Sequence, residues 1–184
     1  MATQQQPKYW TYEDLFDLPD DKRYEIIEGV LYEMPAPNAA HEIITMNLVQ
    51  FVFSLVVWPL GGKILTAPLD LFLRRGNPVQ PDLLVLLPDQ LGMISGRGIE
   101  GAPALLVEIL SPGNSRHDLV TKRALYADAG VQEYWIVSPE AMIIEVLTLD
   151  GAVYRTHARI AGDEPISSAL FPTIATLTSA IFER

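Results

Sequence analysis

The segment Ala104-Leu105-Leu106-Val107-Glu108-Ile109-Leu110 constrains the fold most. It is a continuous apolar run between Pro103 and Pro112, the pattern of a central strand buried on both faces of a sheet. Its one charge, Glu108, has no Lys or Arg within seven positions on either side. An ionised carboxylate in such a strand costs several kcal/mol unless it is paired or bound to a metal. Something distant in sequence must therefore compensate it.

The surrounding patterns supply a sheet for this strand and helices to cover it. Thr11 with Asp14 three residues on predicts a short capped helix that Pro19 stops. Arg23 to Glu28 and Val30 to Met34 read as a hairpin about Glu28-Gly29, ended by Pro35 and Pro37. With Asn38 as N-cap, Ile43, Ile44, Leu48, Phe51, Val52 and Leu55 keep the spacing of a long amphipathic helix lying on one sheet face. Lys63 to Ala67, continuing brokenly through Leu69 to Leu73, and Asp82 to Leu87 are expected strands around the Arg75-Gly76-Asn77-Pro78 turn. Gly92 to Pro103, with four glycines, is expected to be the least ordered stretch. Ser115-Arg116-His117-Asp118 opens a second helix that runs through Ala129 and ends at Gly130. Glu133 to Val137, Met142 to Leu149 and Ala152 to His157 are further strands, the last two joined by Asp150-Gly151. The tail from Gly162 reads as loop plus a short terminal helix. The expectation is one α/β (α+β) domain over residues 1–184, with a mixed central sheet flanked by helices and an N-terminal hairpin.

Composition limits the chemistry. The chain has no cysteine, which excludes disulfides, thiolate nucleophiles and Cys-ligated zinc, so a metal must sit on oxygen or imidazole. The net charge of -10 counts against tight nonspecific DNA binding, because a basic footprint normally supplies it. Lys63, Arg74, Arg75, Arg97, Arg116, Lys122 and Arg123 nonetheless fall in the half of the chain that holds the candidate site. The polar N-terminus lacks a signal-peptide core, and the stretch Leu48 to Leu60 is too short to span a bilayer. No membrane association and a cytoplasmic location are expected.

Asp82 follows Pro81 at the start of its strand, and an adjacent strand would bring it beside Glu108. Two carboxylates with a backbone carbonyl at one sheet edge suit a hard cation such as magnesium or manganese. Such an ion polarises a phosphoryl oxygen, and an ammonium from Lys122 would stabilise the charge that develops.

These residues resemble the signature of the PD-(D/E)XK nuclease superfamily, and the wider pattern resembles its Uma family of restriction-endonuclease-like proteins. The matching pieces are Arg23-Tyr24-Glu25-Ile26-Ile27-Glu28-Gly29, Met34-Pro35-Ala36-Pro37 with His41, and Pro81-Asp82-Leu83. They continue with Val107-Glu108-Ile109-Leu110-Ser111-Pro112, Asp118-Leu119-Val120-Thr121-Lys122 with Tyr126, and Gly130-Val131-Gln132-Glu133-Tyr134-Trp135. The resemblance implies a restriction-endonuclease-like core and a magnesium- or manganese-dependent endonuclease acting on DNA. It implies Asp82, Glu108 and the carbonyl of Ile109 as metal ligands, Lys122 as the catalytic lysine and Glu25 as a further acid. The superfamily lysine stands two residues after the acid, where this chain has Leu110, so Lys122 would reach back from the next helix. Because two DNA strands need two sites, and the strand Ala152 to His157 suits an edge, a homodimer is expected.

Each residue also has a plainer reading. Glu108 alone fits a structural ion pair as well as a ligand, and Asp82 a strand-start residue. Lys122, four residues after Asp118, favours a helix-surface ion pair from the sequence alone, with Asp118 as a capping residue. His41 reads as a cap or surface group, Glu25 equally as an exposed strand residue, and Glu28 as a turn residue. Tyr134 and Trp135 read as core. At the level of function, the acidic balance and the displaced lysine suit a non-catalytic binding module that kept the fold. A sugar- or nucleotide-phosphate hydrolase is disfavoured, since the chain has no Gly-rich phosphate loop.

Overall fold

The computed structural model describes residues 8–19, 21–27, 29–34, 36–54, 58–73, 78–111, 118–172 and 176–183. Its centre is the apolar run, which forms β8 (Leu105–Ile109) with every residue buried. β8 lies inside a six-stranded sheet of order β11-β10-β9-β8-β5-β3. The other members are β3 (Lys63–Thr66), β5 (Leu83–Leu86), β9 (Glu133–Ser138), β10 (Ile143–Asp150) and β11 (Val153–Ala161). β8 and β9 run parallel and the other neighbours antiparallel, so the sheet is mixed. The parallel pair needs a crossover, supplied by α2 (Arg123–Ala129).

Alternation along β8 divides the core in two. Leu105, Val107 and Ile109 pack with Ile44, Leu48 and Phe51 of α1 (Ala39–Val52) on one face. Leu106 packs with Tyr126 and Ala127 of α2 on the other. Glu108 shares the parity of Leu106, so its side chain leaves the strand on the α2 face. β1 (Arg23–Ile27) and β2 (Val30–Met34) form the N-terminal hairpin, and Ile27 joins that second core.

Local signals account for most boundaries. Asn38 caps α1 by accepting the His41 N–H at 2.9 Å. Gly130 ends α2 at φ 89°, and Gly151 turns β10 into β11 at φ 65°. The Thr11 segment is a single 3-10 turn, Glu13–Asp17, and a short helix α3 (Thr178–Phe182) closes the tail. Tyr134 and Trp135 are fully buried. Among the described residues no helix is long and apolar enough to cross a membrane.

Three expectations need correction. Gly92 to Pro103 is ordered: a 3-10 turn (Pro88–Met93) leads into β6 (Ile94–Ser95) and β7 (Gly98–Glu100), which join β4 (Leu71–Phe72) in a small sheet. Gly98 serves close packing, since a Cβ there would stand 2.2 Å from the Asp70 carbonyl oxygen, whereas Gly92 and Gly96 have open space around them. The strand after Pro81 starts at Leu83, leaving Asp82 just outside the ladder. The second helix is preceded by a five-residue π-helical turn, Asp118–Lys122, wider than the regular helix expected there. Ser115, Arg116 and His117 of the capping box lie outside the described residues, as do Arg74 to Asn77, Glu28, Pro35 and Leu55.

Candidate active site

Glu108 is 4% exposed and finds its compensation 14 residues on, in Lys122. The Lys122 ammonium donates to Glu108 Oε1 at 3.0 Å and stands 3.2 Å from Glu25 Oε2. The Tyr126 hydroxyl donates to the same Glu108 oxygen at 2.6 Å. Lys122 and Tyr126 are four residues apart, so the helix presents both on one face, toward the side of β8 from which Glu108 leaves. Lys122 is fully buried, which overturns the helix-surface pairing with Asp118. The Asp118 side chain lies outside the described set. Burial first, then the charges of Glu108 and Glu25, push the Tyr126 phenol well above its ordinary range, so it stays a donor.

Glu25 is 2% exposed, not a surface strand residue. Its second oxygen accepts the backbone N–H of Gln80 at 3.0 Å, and the Gln80 side chain donates to Asp70 Oδ1 at 3.0 Å. Glu25 thereby ties the hairpin to the segment that leads into Asp82.

Asp82 sits opposite Glu108 by register, because Leu83 pairs with Val107. Its Oδ2 accepts the Ile109 N–H at 2.7 Å, replacing a ladder bond that β5 starts too late to make. Within a strand the N–H and C=O of one residue point the same way, so the Ile109 carbonyl also leaves β8 on the Asp82 side. Asp82 Oδ1 lies 3.2 Å from His41 Nε2. Burial pulls the His41 imidazole down, but the hydrogen bond and charge of Asp82 outweigh it, and the net shift is upward.

The structure thus gathers Glu25, Glu108 and Lys122 in one buried cluster with Tyr126, and places Asp82 and Ile109 at the adjoining strand ends with His41 reaching Asp82 from the first turn of α1. Tyr126 stands in the sequence pattern with no role assigned to it, while Gln80, which meets Glu25 through its backbone N–H, leaves no sequence signal. Among the described residues the cluster sets three carboxylates against one ammonium and one imidazole. The carboxylate and carbonyl oxygens among these groups are the donor type that suits a hard cation. Among the described residues no three acidic or histidine side chains are grouped to hold a metal. Magnesium is ordinarily held by one or two carboxylates with water and substrate oxygens, so Asp82, Glu108 and the Ile109 carbonyl fit it.

A mixed sheet with acids and a lysine gathered at one end of its central strands is the frame of a nuclease-like α+β protein. Residues 11–180 match the model of the Uma2 family, described as "Putative restriction endonuclease". The chain belongs to that family. It is also similar to the crystal structure of a protein from Anabaena variabilis, described as a putative nuclease belonging to DUF820. The TM-score is 0.76 at 20% identity, over 94% of this chain and 97% of the other. No curated protein matches the chain.

Proposed function

We propose that this chain is a metal-dependent endonuclease that hydrolyses DNA phosphodiester bonds. The observation that carries the reading is the Lys122 ammonium held 3.0 Å from Glu108 in a buried acidic cluster beside Asp82. Asp82, Glu108 and the Ile109 carbonyl would hold magnesium or manganese. A bound hard cation supplies Lewis-acid polarisation of a phosphoryl oxygen. Lys122, buried behind Glu108, adds a fixed positive charge to the field of the site, which favours the negative charge that develops on the phosphoryl oxygens. Glu25 fixes the Lys122 ammonium from its other side, and Tyr126 holds the Glu108 carboxylate.

The test is calorimetric titration with manganese beside cleavage assays on single-stranded, double-stranded and branched DNA. Glu108→Ala is expected to abolish manganese binding and cleavage while the circular dichroism spectrum is kept. Manganese binding unaffected by this change would sink the assignment. A second reading, a nuclease-fold binding module without turnover, is favoured by the net charge of -10. Metal binding by the wild type with no cleavage of any of the three DNA forms would select it.

A further inference from the structure

Arg23 opens β1 two residues before Glu25, so both side chains leave the strand on one face. Glu25 is buried in the cluster, whereas Arg23 is half-buried. Its positive charge reaches His41, whose charged form it disfavours. The nearby carboxylates are engaged elsewhere: Glu25 by Lys122 and Gln80, Asp82 by Ile109 and His41. Arg23 makes no ion pair among the described residues, and its Nε is buried without a hydrogen-bond partner. His41 Nδ1 is likewise buried and unpartnered, its Nε2 being committed to Asp82.

A buried polar group with no hydrogen-bond partner costs free energy, and Arg23 Nε and His41 Nδ1 are two such groups. A guanidinium beside carboxylates that pairs with none of them is available to another anion, and its planar fork matches phosphate oxygens. A phosphodiester brought against three carboxylates is repelled unless cations flank it. Lys122 is fully buried, so of these two cations Arg23 is the one that reaches the surface.

We propose that Arg23 forms a phosphate subsite that receives a non-bridging oxygen of the DNA backbone next to the Asp82–Glu108 site. The subsite rests on the nuclease reading for its substrate, and its test separates the two. Binding of a short labelled duplex to the full chain is read by fluorescence anisotropy at low ionic strength with calcium, and cleavage of the same duplex with manganese. Arg23→Ala is expected to weaken binding about tenfold or more and to lower the slope of affinity against salt by about one. Arg23→Lys should restore part of the affinity, since it keeps the charge and loses the fork. The thermal midpoint of Arg23→Ala should change little, because Arg23 has no hydrogen-bond or ion-pair partner to lose among the described residues.

Wild-type affinity and salt slope in Arg23→Ala would overturn the subsite, and so would a lost affinity that tracks a lowered midpoint and is not rescued by lysine. A wild-type chain that binds no duplex overturns it as well. If the wild type cleaves while Arg23→Ala binds as before, the subsite fails and the nuclease reading stands. If the wild type never cleaves while Arg23→Ala loses binding, the nuclease reading fails and the subsite stands.

Discussion

Lys122 is an ammonium with no access to water, held between Glu25 and Glu108 at 3.2 Å and 3.0 Å. Removing it leaves two buried carboxylates without their cation, a change that typically costs about 3–5 kcal/mol. Lys122→Met should therefore lower stability by about that amount in urea titrations. Adding Glu25→Gln and Glu108→Gln should recover most of the loss, because neutral amides need no counter-charge. A single variant as stable as the wild type would mean that the buried pair carries no weight. The tyrosines give a second residue-scale expectation. Tyr126 and Tyr154 both have phenols raised above 10.0, mainly by burial. Raised folded values mean that the folded state keeps these protons after the unfolded chain has released them, so their contribution is complete below pH 10.0 and is lost as pH rises further. Tyr154→Phe should cost about 1 kcal/mol near neutrality, for the hydrogen bond to Val131, and should flatten part of the alkaline decline. Equal urea-midpoint losses in both proteins between about pH 8 and about pH 11 would contradict this.

The elements differ in how far their own residues announce them. Asn38, Gly130 and Asp150-Gly151 act within a few residues of themselves, through a cap, a left-handed terminus and a tight turn, so their elements are legible locally. Glu108 is legible as a demand for a partner, but the partner is chosen by the crossover of α2 over β8, and a surface pair with Asp118 looks better until that crossover is known. Gly92 to Pro103 misleads because glycine signals either slackness or close approach, and at Gly98 only the position of Asp70 decides which. Glu133 is the clearest case of a role with no local sign. It is fully buried and accepts from Trp135 Nε1, the Ser168 hydroxyl and the backbone N–H groups of Ala169 and Leu170. Three of those donors come from a segment more than thirty residues later, which Glu133 fastens to β9. Glu133→Ala should cost about 3 kcal/mol by leaving several donors unsatisfied, and should speed amide exchange selectively in the segment from Ile166 to Phe171. Exchange unchanged there would remove Glu133 as the fastener.

If the chain is a nuclease, its described residues offer one acidic cluster, whereas a duplex offers a phosphodiester on each strand, so double-strand cleavage would call for two copies. The sheet ends at β11, which spans nine residues and takes no strand partner on its outer edge among the described residues. An open edge of that length presents unpaired N–H and C=O groups to a second copy, and two-fold closure is the common outcome. We expect light scattering at micromolar concentration to give twice the 20.4 kDa of one chain. Each copy carries a net charge of -10, so the copies repel and their association should strengthen as salt screens that repulsion. DNA binding through Arg23 should weaken over the same range, which makes the two salt dependences opposite in sign. The ladder with β10 passes from Ala158 to Thr156 and skips His157. A proline placed on β11 at a residue whose N–H faces away from β10 should spare the internal pairing, interrupt pairing along the free edge and yield a folded monomer. A wild-type chain that stays monomeric at every salt concentration would remove the dimer. Double-strand cleavage would then proceed through two successive nicks, each first order in protein, and nicked DNA would accumulate before the linear product.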